Sequence, residues 1–313
     1  MRPAYWESSS KIWPKIGIGH KDAIIAGHAA LLLIKKNASK INYFDFGRYI
    51  TTYGNGRVRS EETDPEVKIP LEAKFKNDSL INLDEVLLWI EKHPEITHGN
   101  GRLIASINHR INYNKALNFI QNLINEKELA YGAFVKNGTN CARFVTDTII
   151  NSCTDKKIKL KLKSSYLLTP SPIGNVIKGK TIKEVFKIEN QNIEAYKNRS
   201  IIKEYKITFF KKFEYELNLI GTELPDKENF YLTNGTWLSG IGSGAWFKIE
   251  NQIDTNFYKI VRYCSLGNKD FEAVFAVNKT CFNHHEEHQI LHPTNCKEVL
   301  VKQNNKIYTL TIT

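Results

Sequence analysis

One short stretch, residues 138–147, limits what this chain can fold into more than any other, because it joins a turn, a helix start and a cysteine. Gly138 permits a sharp bend, and Thr139 and Asn140 are residue types that cap helix N-termini. Apolar residues then recur at helical spacing, namely Ala142, Val145, Ile149 and Ile150. Cys141 is therefore predicted in the first helical turn, where free backbone N–H groups and the helix dipole favour the thiolate, the nucleophilic form.

A histidine in a matching setting stands far upstream, at the head of an apolar strand predicted within residues 24–34. Most cysteines are structural, and a histidine that enters an apolar strand is usually a core residue. Together, however, a thiol at a helix start and an imidazole at a strand end are typical of a nucleophile and its base. His28 is thus predicted to take the proton of Cys141, and His98 and His109 are less suitably placed alternatives.

The sequence around both residues also carries a family resemblance. Gly-His-Ala-Ala at 27–30 precedes an apolar strand, and Asn-Cys-Ala-Arg-Phe-Val at 140–145 opens a helix much later. This order is similar to that of the circularly permuted papain-like cysteine hydrolases, which include the permuted NlpC-type peptidases and the lecithin–retinol acyltransferase group. The runs at 43–49 and 56–60 resemble a group of uncharacterised bacterial proteins of this type.

The resemblance covers roughly the first half of the chain and implies its fold, its chemistry and its substrates. It implies an antiparallel sheet packed with helices, in the order histidine, polar orienting residue on the next strand, then cysteine. It implies amide or ester substrates, with cell-wall peptides as the leading class. Whether the acyl group passes to water or to another acceptor stays open.

Asp45 is the candidate for the orienting residue. Residues 41–46 are predicted as a strand antiparallel to the first, because the polar connection at 35–40 is short enough for a hairpin. Asp45 would then lie across from His28 and orient the imidazole. The alternative is a turn residue before Gly47, since aspartate is common at such turns. The backbone N–H of Cys141 would help to hold the oxyanion.

Two arginines follow the turn at 54–56 and share one face of a short predicted strand. Arg57 and Arg59 are candidates for clamping an anionic group of the substrate, because a guanidinium binds such groups with two donors. The alternative is a solvated edge or an internal ion pair with the acidic residues at 61, 62 and 64. Asn140, next to the cysteine, is the third candidate for substrate binding.

The net charge of +11 favours polyanionic surroundings such as cell-wall polymers, anionic lipid or nucleic acid, or else reflects a lysine-rich solubilising surface. No nucleic-acid fold motif accompanies the charge, so no specific nucleic-acid partner is expected. The beginning of the sequence has no apolar signal segment, and no run reaches membrane-spanning length. We therefore expect a cytoplasmic protein without a transmembrane segment, with non-classical export left open.

No cofactor and no metal are predicted. The five cysteines form no CxxC motif, which favours free thiols in a reducing compartment over a zinc site or a disulfide framework. Residues 284–288 formally match an inverted zinc-protease motif, but their surroundings leave little room for the helix that this motif requires. Residues 235–247 are rich in glycine and aromatic residues and are interpreted as an exposed loop for glycans or a partner.

The second half of the chain has a different pattern, which predicts a β-rich domain. Thr169–Gly174 is the linker candidate, so the predicted division is a permuted papain-like domain at 1–168 and an accessory or binding domain at 169–313. Just before it, the alternation at 157–163 predicts a strand with a lysine outer face. The second half shows strand alternation at Phe213–Leu219. Two strand pairs are also predicted, Phe257–Tyr263 with Phe271–Val277, and Val299–Val301 with Tyr308–Ile312 as a terminal hairpin.

These observations lead to an α+β fold and two functional hypotheses. The first is a cysteine-dependent amidase or peptidase in which Cys141 forms an acyl-enzyme, His28 is the base and Asp45 orients it. The second is a non-catalytic binding protein that combines a papain-like domain with a β-rich recognition module.

Overall fold

The computed structural model describes residues 2–5, 23–98, 101–197, 235–240, 243–277 and 282–313. In these ranges the helices are α1 (Leu83–Lys92), α2 (Pro94–Thr97), α3 (Tyr113–Asn125), α4 (Cys141–Ser152), α5 (Lys156–Lys163) and α6 (Pro172–Gly179). The strands of the first half are β1 (Arg2–Tyr5), β2 (Ala23–Ala26), β3 (Ala30–Ile34), β4 (Ile41–Gly47), β5 (Asn55–Arg59), β6 (Phe75–Lys76), β7 (Ser79–Leu80), β8 (Leu103–Ala105), β9 (Leu129–Ala130), β10 (Phe186–Glu189) and β11 (Asn192–Ala195). The α+β class is confirmed.

The first half is built around a four-stranded antiparallel sheet in the order β3-β4-β5-β9. The predicted hairpin is confirmed, since β3 pairs antiparallel with β4 and Ala30 lies opposite Asp45. The next pairing, β4 with β5, brings Asp45 opposite Arg59. A second sheet has the order β11-β10-β8, and the two-stranded sheets β1–β2 and β6–β7 complete the strands of this half.

Helices α3 and α4 pack on the four-stranded sheet because each buries one apolar stripe. Phe144 and Val145 of α4, with Ile120 of α3, are buried against Phe46 and Val58 of the sheet. A second core forms around Tyr43, Val86 and Ile90, where α1 packs. Phe46 and Tyr43 point to opposite faces of β4, and each belongs to one of the two cores. Both faces of β4 are therefore covered, which explains why this strand is almost entirely buried.

The prediction of a strand at 157–163 is wrong, because these residues form α5. Asp155 caps the helix, and its carboxylate accepts hydrogen bonds from the backbone N–H groups of Lys157 and Ile158. Ile158 and Leu162, four residues apart, are buried on one face of it. Over so short a run, the alternation of lysine with apolar residues fits the period of a helix as well as that of a strand. Lysine and leucine are also good helix formers.

The second half contains a seven-stranded antiparallel sheet in the order β12-β13-β14-β15-β18-β17-β16, whose end strands approach each other to form a near-barrel. Its strands are β12 (Thr236–Gly240), β13 (Ser243–Asp254), β14 (Phe257–Tyr263), β15 (Lys269–Val277), β16 (Gln289–Leu291), β17 (Glu298–Gln303) and β18 (Lys306–Ile312). The predicted hairpins β14–β15 and β17–β18 are confirmed. The predicted strand Phe213–Leu219 lies outside the described residues.

The interpretation of residues 235–247 as an exposed aromatic loop is wrong. The segment supplies β12 and the start of β13, which pair with each other. Trp246 and Phe247 are buried, and Phe247 belongs to the core of the near-barrel. Because Trp246 and Phe247 are both buried, they stabilise the second half instead of presenting a binding surface.

The two halves touch along the loops that follow β4 and β5. Ile50 forms an isolated backbone bridge with Gly240, and a Cβ at position 240 would lie 1.5 Å from the carbonyl oxygen of Tyr49, so only glycine permits this approach. The backbone N–H of Cys296 donates to the carbonyl oxygen of Thr63 over 3.0 Å. The second half therefore contacts Tyr49 and Ile50, which lie two and three residues after the end of β4.

The segment proposed as a linker contains the start of α6, which packs against α4, while β10 pairs with β8 of the first half. The division at residue 169 concerns independent folding and stays a prediction. Limited proteolysis near 169–174 would test it, because two folded fragments are expected and unfolding of both would place the boundary elsewhere. Among the described residues, no helix has the length and apolar character that a membrane crossing requires.

Candidate active site

Cys141 begins α4, as the sequence predicted. The side-chain oxygen of Asn140 accepts a hydrogen bond from the backbone N–H of Arg143 over 2.9 Å and so caps the helix. Gly138 allows the preceding turn, since a Cβ there would lie 2.7 Å from the carbonyl oxygen of Ala130. The backbone N–H of Cys141, in the first helical turn, has no partner within the helix and is available to a ligand.

His28 lies beside this thiol. The Cys141 thiol donates to the carbonyl oxygen of Gly27, the residue before His28, over 4.0 Å, and it is close enough to His28 to help raise the pKa of the imidazole. The Nε2 atom of His28 lies 2.8 Å from Oδ2 of Asp45, which leaves Nδ1 for the thiol. The structure therefore brings the three residues that the sequence selected into one connected group.

The charge state of His28 follows from its neighbours. Burial by itself lowers the pKa of the imidazole, but hydrogen bonds with Asp45 and Cys141, together with the charge of Asp45, raise the pKa to about 9. At neutral pH the imidazole is therefore mostly protonated. The protonated imidazole places a positive charge beside the Cys141 thiol.

Asp45 is completely buried and is held by four side chains. Besides His28, the hydroxyl of Tyr49 donates to Oδ2 over 2.6 Å and that of Tyr43 donates over 2.9 Å. Arg59 donates from Nε to Oδ1 over 3.0 Å and from Nη2 to Oδ2 over 2.6 Å. Burial raises the pKa of this carboxyl, but Arg59 and His28 outweigh that effect and hold the pKa well below its usual range.

Arg59 and Tyr49 form a second layer behind the carboxylate. The guanidinium carbon of Arg59 lies 3.7 Å from the ring centre of Tyr49, and Nη2 also donates to the carbonyl oxygen of Ile96 over 2.7 Å. Burial raises the pKa of the Tyr43 and Tyr49 phenols well above the ordinary value, so both remain hydrogen-bond donors. This layer fixes the position of Asp45 and thereby the orientation of the His28 ring.

The candidate substrate-binding residues lie in different surroundings. Arg57 is buried and donates to both carboxylate oxygens of Asp64 over 2.5 and 2.6 Å, which is the internal ion pair considered from the sequence. Arg59 is engaged by Asp45, whereas Asn140 lines the cleft. Contact of these three residues with a substrate stays a prediction.

Comparison with family models identifies the first half. Residues 2–158, half of the chain, match the model described as type VI secretion system effector TseH-like. The chain belongs to this TseH-like family. Residues 235–313 match the DUF6695 C-terminal domain, and no curated protein and no solved structure gave a significant match.

In this TseH-like chain a cavity of about 1610 Å³ opens beside the catalytic candidates. Cys141, His28 and Asn140 are among the polar residues of its wall. Most of the remaining wall is apolar and comes from β3, α1, β8 and α6, and the cavity also reaches Thr169 and Pro170. A ligand could therefore present a carbonyl to the thiol while an apolar portion extends along β3.

No pattern in the sequence points to Tyr49, and Arg59, a candidate for substrate binding, contacts Asp45. Tyr43 could be placed on the same strand face as Asp45, because residues two apart on a strand share a face. Tyr49 follows the strand end, where no periodicity applies. Residues 284–288 of this TseH-like chain form a turn instead of a helix, and within the described ranges no group of three or more metal-ligand side chains is present.

Proposed function

We propose that this chain is a cysteine hydrolase of the papain-like type, an amidase or peptidase in which Cys141 is the nucleophile, His28 the general base and acid, and Asp45 the residue that orients His28. The observation that carries the proposal is the connected group of thiol, imidazole and buried carboxylate at the start of α4. The TseH-like family match supports it, and so does the resemblance to permuted papain-like hydrolases.

The proposed reaction starts from a Cys141 thiolate beside a protonated His28, the thiol proton having already passed to Nδ1 of the imidazole. The thiolate attacks the substrate carbonyl, and the backbone N–H of Cys141 donates to the developing oxyanion. The imidazolium then gives its proton to the leaving amine, which leaves an acyl-enzyme. Water, deprotonated by His28, releases the acid and restores the thiolate.

Cell-wall peptides are the proposed substrate class. The family is described as effectors of a type VI secretion system, which favours export by that system and an action outside the producing cell. The net charge of +11 favours residence near anionic cell-wall polymers. The open cleft accommodates an extended peptide, because its volume of about 1610 Å³ exceeds the volume of an ordinary small-ligand pocket.

The test is hydrolysis of peptidoglycan-derived peptides by the full chain, followed by mass spectrometry. The parent should release an amine product, whereas Cys141→Ser and His28→Ala should reduce turnover by at least about 1000-fold, as expected for loss of a nucleophile or its base. Cys264→Ser, at a half-buried free cysteine in the near-barrel, is the matched control and should retain activity.

Peptide binding without turnover in the parent, combined with no preferential reaction of a thiol probe at Cys141, would favour the alternative of a non-catalytic binding protein. Cys141 has only 8% of its surface exposed, so such a protein would use the cleft without exposing its thiol.

A further inference from the structure

An exposed surface on α5 and the turn that follows combines lysines with uncovered leucines. We call it the α5 surface and define it by Lys156, Lys157, Leu160, Lys161, Lys163, Leu167 and Leu168. The three leucines are 67%, 88% and 74% exposed, respectively. Single exposed leucines are common on soluble proteins, but three within nine residues form an apolar patch that has no explanation in the fold.

The geometry of α5 places these side chains on one side. Ile158 and Leu162 are buried and define the inward face of the helix. At 100° per residue, Leu160 points directly away from them, and Lys156 and Lys157 lie on either side of it. A short 3-10 helix, Ser164–Leu167, continues from α5 and ends in the two adjacent exposed leucines. The α5 surface therefore presents both lysines and leucines to solvent.

The charge of this surface is predominantly positive, although Asp155 directly precedes it and caps α5. Residues 156–168 contain five lysines and no acidic residue. In the described part of the chain none of these five lysines forms an ion pair. Surface lysines elsewhere do, as Lys36 does with Asp78 and Lys297 with Glu62. The α5 surface therefore keeps a concentrated positive charge next to its apolar side chains.

We propose that the α5 surface binds the headgroup layer of an anionic lipid bilayer, with the three leucines inserted into the interface and the lysines on lipid phosphates. Amphipathic helices that lie in this interface combine lysines on the polar side with exposed leucines, and each lysine near an anionic membrane adds attraction. Lysines alone would equally suit a nucleic acid, but a polyanion in water provides nothing that covers three exposed leucines. The leucines decide between the two.

This surface adjoins the cleft that contains Cys141. Thr169 and Pro170 follow Leu168 directly, are buried, and line the cavity. The hydroxyl of Thr169 donates to the carbonyl oxygen of Ala133 over 3.4 Å. Ala133 and the half-exposed Phe134 that follows it also line the cavity. A bilayer bound at the α5 surface would thus lie beside the cleft and present membrane-attached substrates to it.

The experiment is vesicle flotation of the full-length chain. Vesicles of phosphatidylglycerol and phosphatidylcholine in equal parts are compared with vesicles of phosphatidylcholine alone. The parent should float with the anionic vesicles only, and added salt should weaken binding because it screens the lysines. Leu167→Ser with Leu168→Ser, and separately Lys157→Gln with Lys161→Gln, should each weaken partitioning by roughly tenfold or more.

Matched controls come from the near-barrel. Leu266→Ser removes a leucine that is 69% exposed, and Lys302→Gln with Lys306→Gln removes two exposed lysines; both variants should bind like the parent. The Tm of every variant is measured first, and all these positions are exposed, so folding should be unaffected.

Three results would overturn the proposal. The parent could fail to float with anionic vesicles, the double leucine variant could float like the parent, or the leucines could prove to hold two copies of the chain together in size-exclusion chromatography. Binding to DNA that depends on the lysines but not on the leucines, without flotation, would identify a nucleic-acid surface instead. Since flotation does not depend on turnover, its failure is distinguishable from failure of the proposed hydrolase.

Discussion

Two buried arginine–aspartate pairs lie two residues apart along β5 and serve different parts of the molecule. Arg59 binds Asp45 through Nε and Nη2, and Arg57 binds Asp64 through both terminal nitrogens. All four side chains are almost completely buried. By burial, distance and type of partner, the two pairs are nearly equivalent.

They differ in what else the carboxylate contacts. Asp64 accepts a further hydrogen bond from the Thr63 hydroxyl and lies in the loop that meets the near-barrel, where Thr63 accepts from Cys296. Asp45 instead contacts His28, whose other neighbour is the thiol of Cys141. A buried ion pair is therefore not in itself a functional site; a titratable third group that faces a cleft makes it one.

The electrostatics follow the same division. In both pairs burial raises the pKa of the carboxyl, and the arginine outweighs this and lowers the pKa below its ordinary value. Only Asp45 passes this charge on to a titratable group beside the thiol, because it raises the pKa of the His28 imidazole to about 9. The comparison thus predicts a purely structural pair at Arg57–Asp64 and a pair with kinetic consequences at Arg59–Asp45.

The largest expected effect is on stability at the structural pair. Asp64→Ala leaves the Arg57 guanidinium buried without its partner and should lower the free energy of unfolding by about 3–5 kcal/mol. Urea denaturation of parent and variant measures this loss. Asp78→Ala, which removes an exposed partner of Lys36, is the control and should change stability by less than about 1 kcal/mol. Equal losses in the two variants would show that Arg57–Asp64 contributes no more than a surface pair.

The next effect is a dependence of stability on pH through His28. Its pKa rises from 6.5 to about 9 on folding, so the protonated imidazole stabilises the folded state. This contribution is complete below pH 6.5 and is lost as the pH rises to about 9. The shift corresponds to at most about 3 kcal/mol. Urea denaturation across this range should show a loss in the parent that His28→Ala lacks, and parallel curves would contradict the assigned environment.

A smaller effect is expected on turnover at the other pair. Asp45→Asn keeps the shape but removes the charge that orients and protonates His28, and should lower kcat by about 100-fold. Asp64→Asn is the matched control and should leave kcat within about threefold, since it touches no reacting group. Peptide hydrolysis by folded protein measures both. Similar losses in the two variants would remove the distinction between the pairs.

The smallest effect concerns Tyr49, which donates to Asp45 from outside the strand. Tyr49→Phe removes one hydrogen bond to a charged group and should lower kcat by roughly tenfold, with little change in KM. Tyr53→Phe, at an exposed tyrosine of the following turn, should have no effect. If Tyr49→Phe raised KM and left kcat unchanged, the hydroxyl would act on substrate binding instead of positioning Asp45.

Local patterns in the sequence predicted the parts of the site that depend on local structure. The cap residue Asn140, the helix start at Cys141 and the short hairpin that sets His28 near Asp45 are all determined within a few residues. Arg59 was correctly placed on a strand, yet its partner depends on the register between β4 and β5, which no local signal specifies.

The errors have the same physical origin. At 157–163 the spacing of Ile158 and Leu162 satisfies a helix as well as a strand, and the packing of neighbouring elements decides. At 235–247 the glycines suggested a loop, although Gly240 is required by close contact with the backbone of Tyr49. Tertiary contacts, which the sequence pattern does not contain, determined both outcomes.

The most direct test of the account is the pH dependence of alkylation at Cys141 in the parent, His28→Ala and Asp45→Asn. Iodoacetamide reacts with the thiolate, so its rate at this residue, followed by peptide mass spectrometry, reports the thiolate population at each pH. The account predicts fast alkylation of the parent at neutral pH, a rise displaced to clearly higher pH in His28→Ala, and a smaller displacement in Asp45→Asn. Three coincident curves would show that His28 is not the partner of Cys141 and would rule out the proposed catalytic pair.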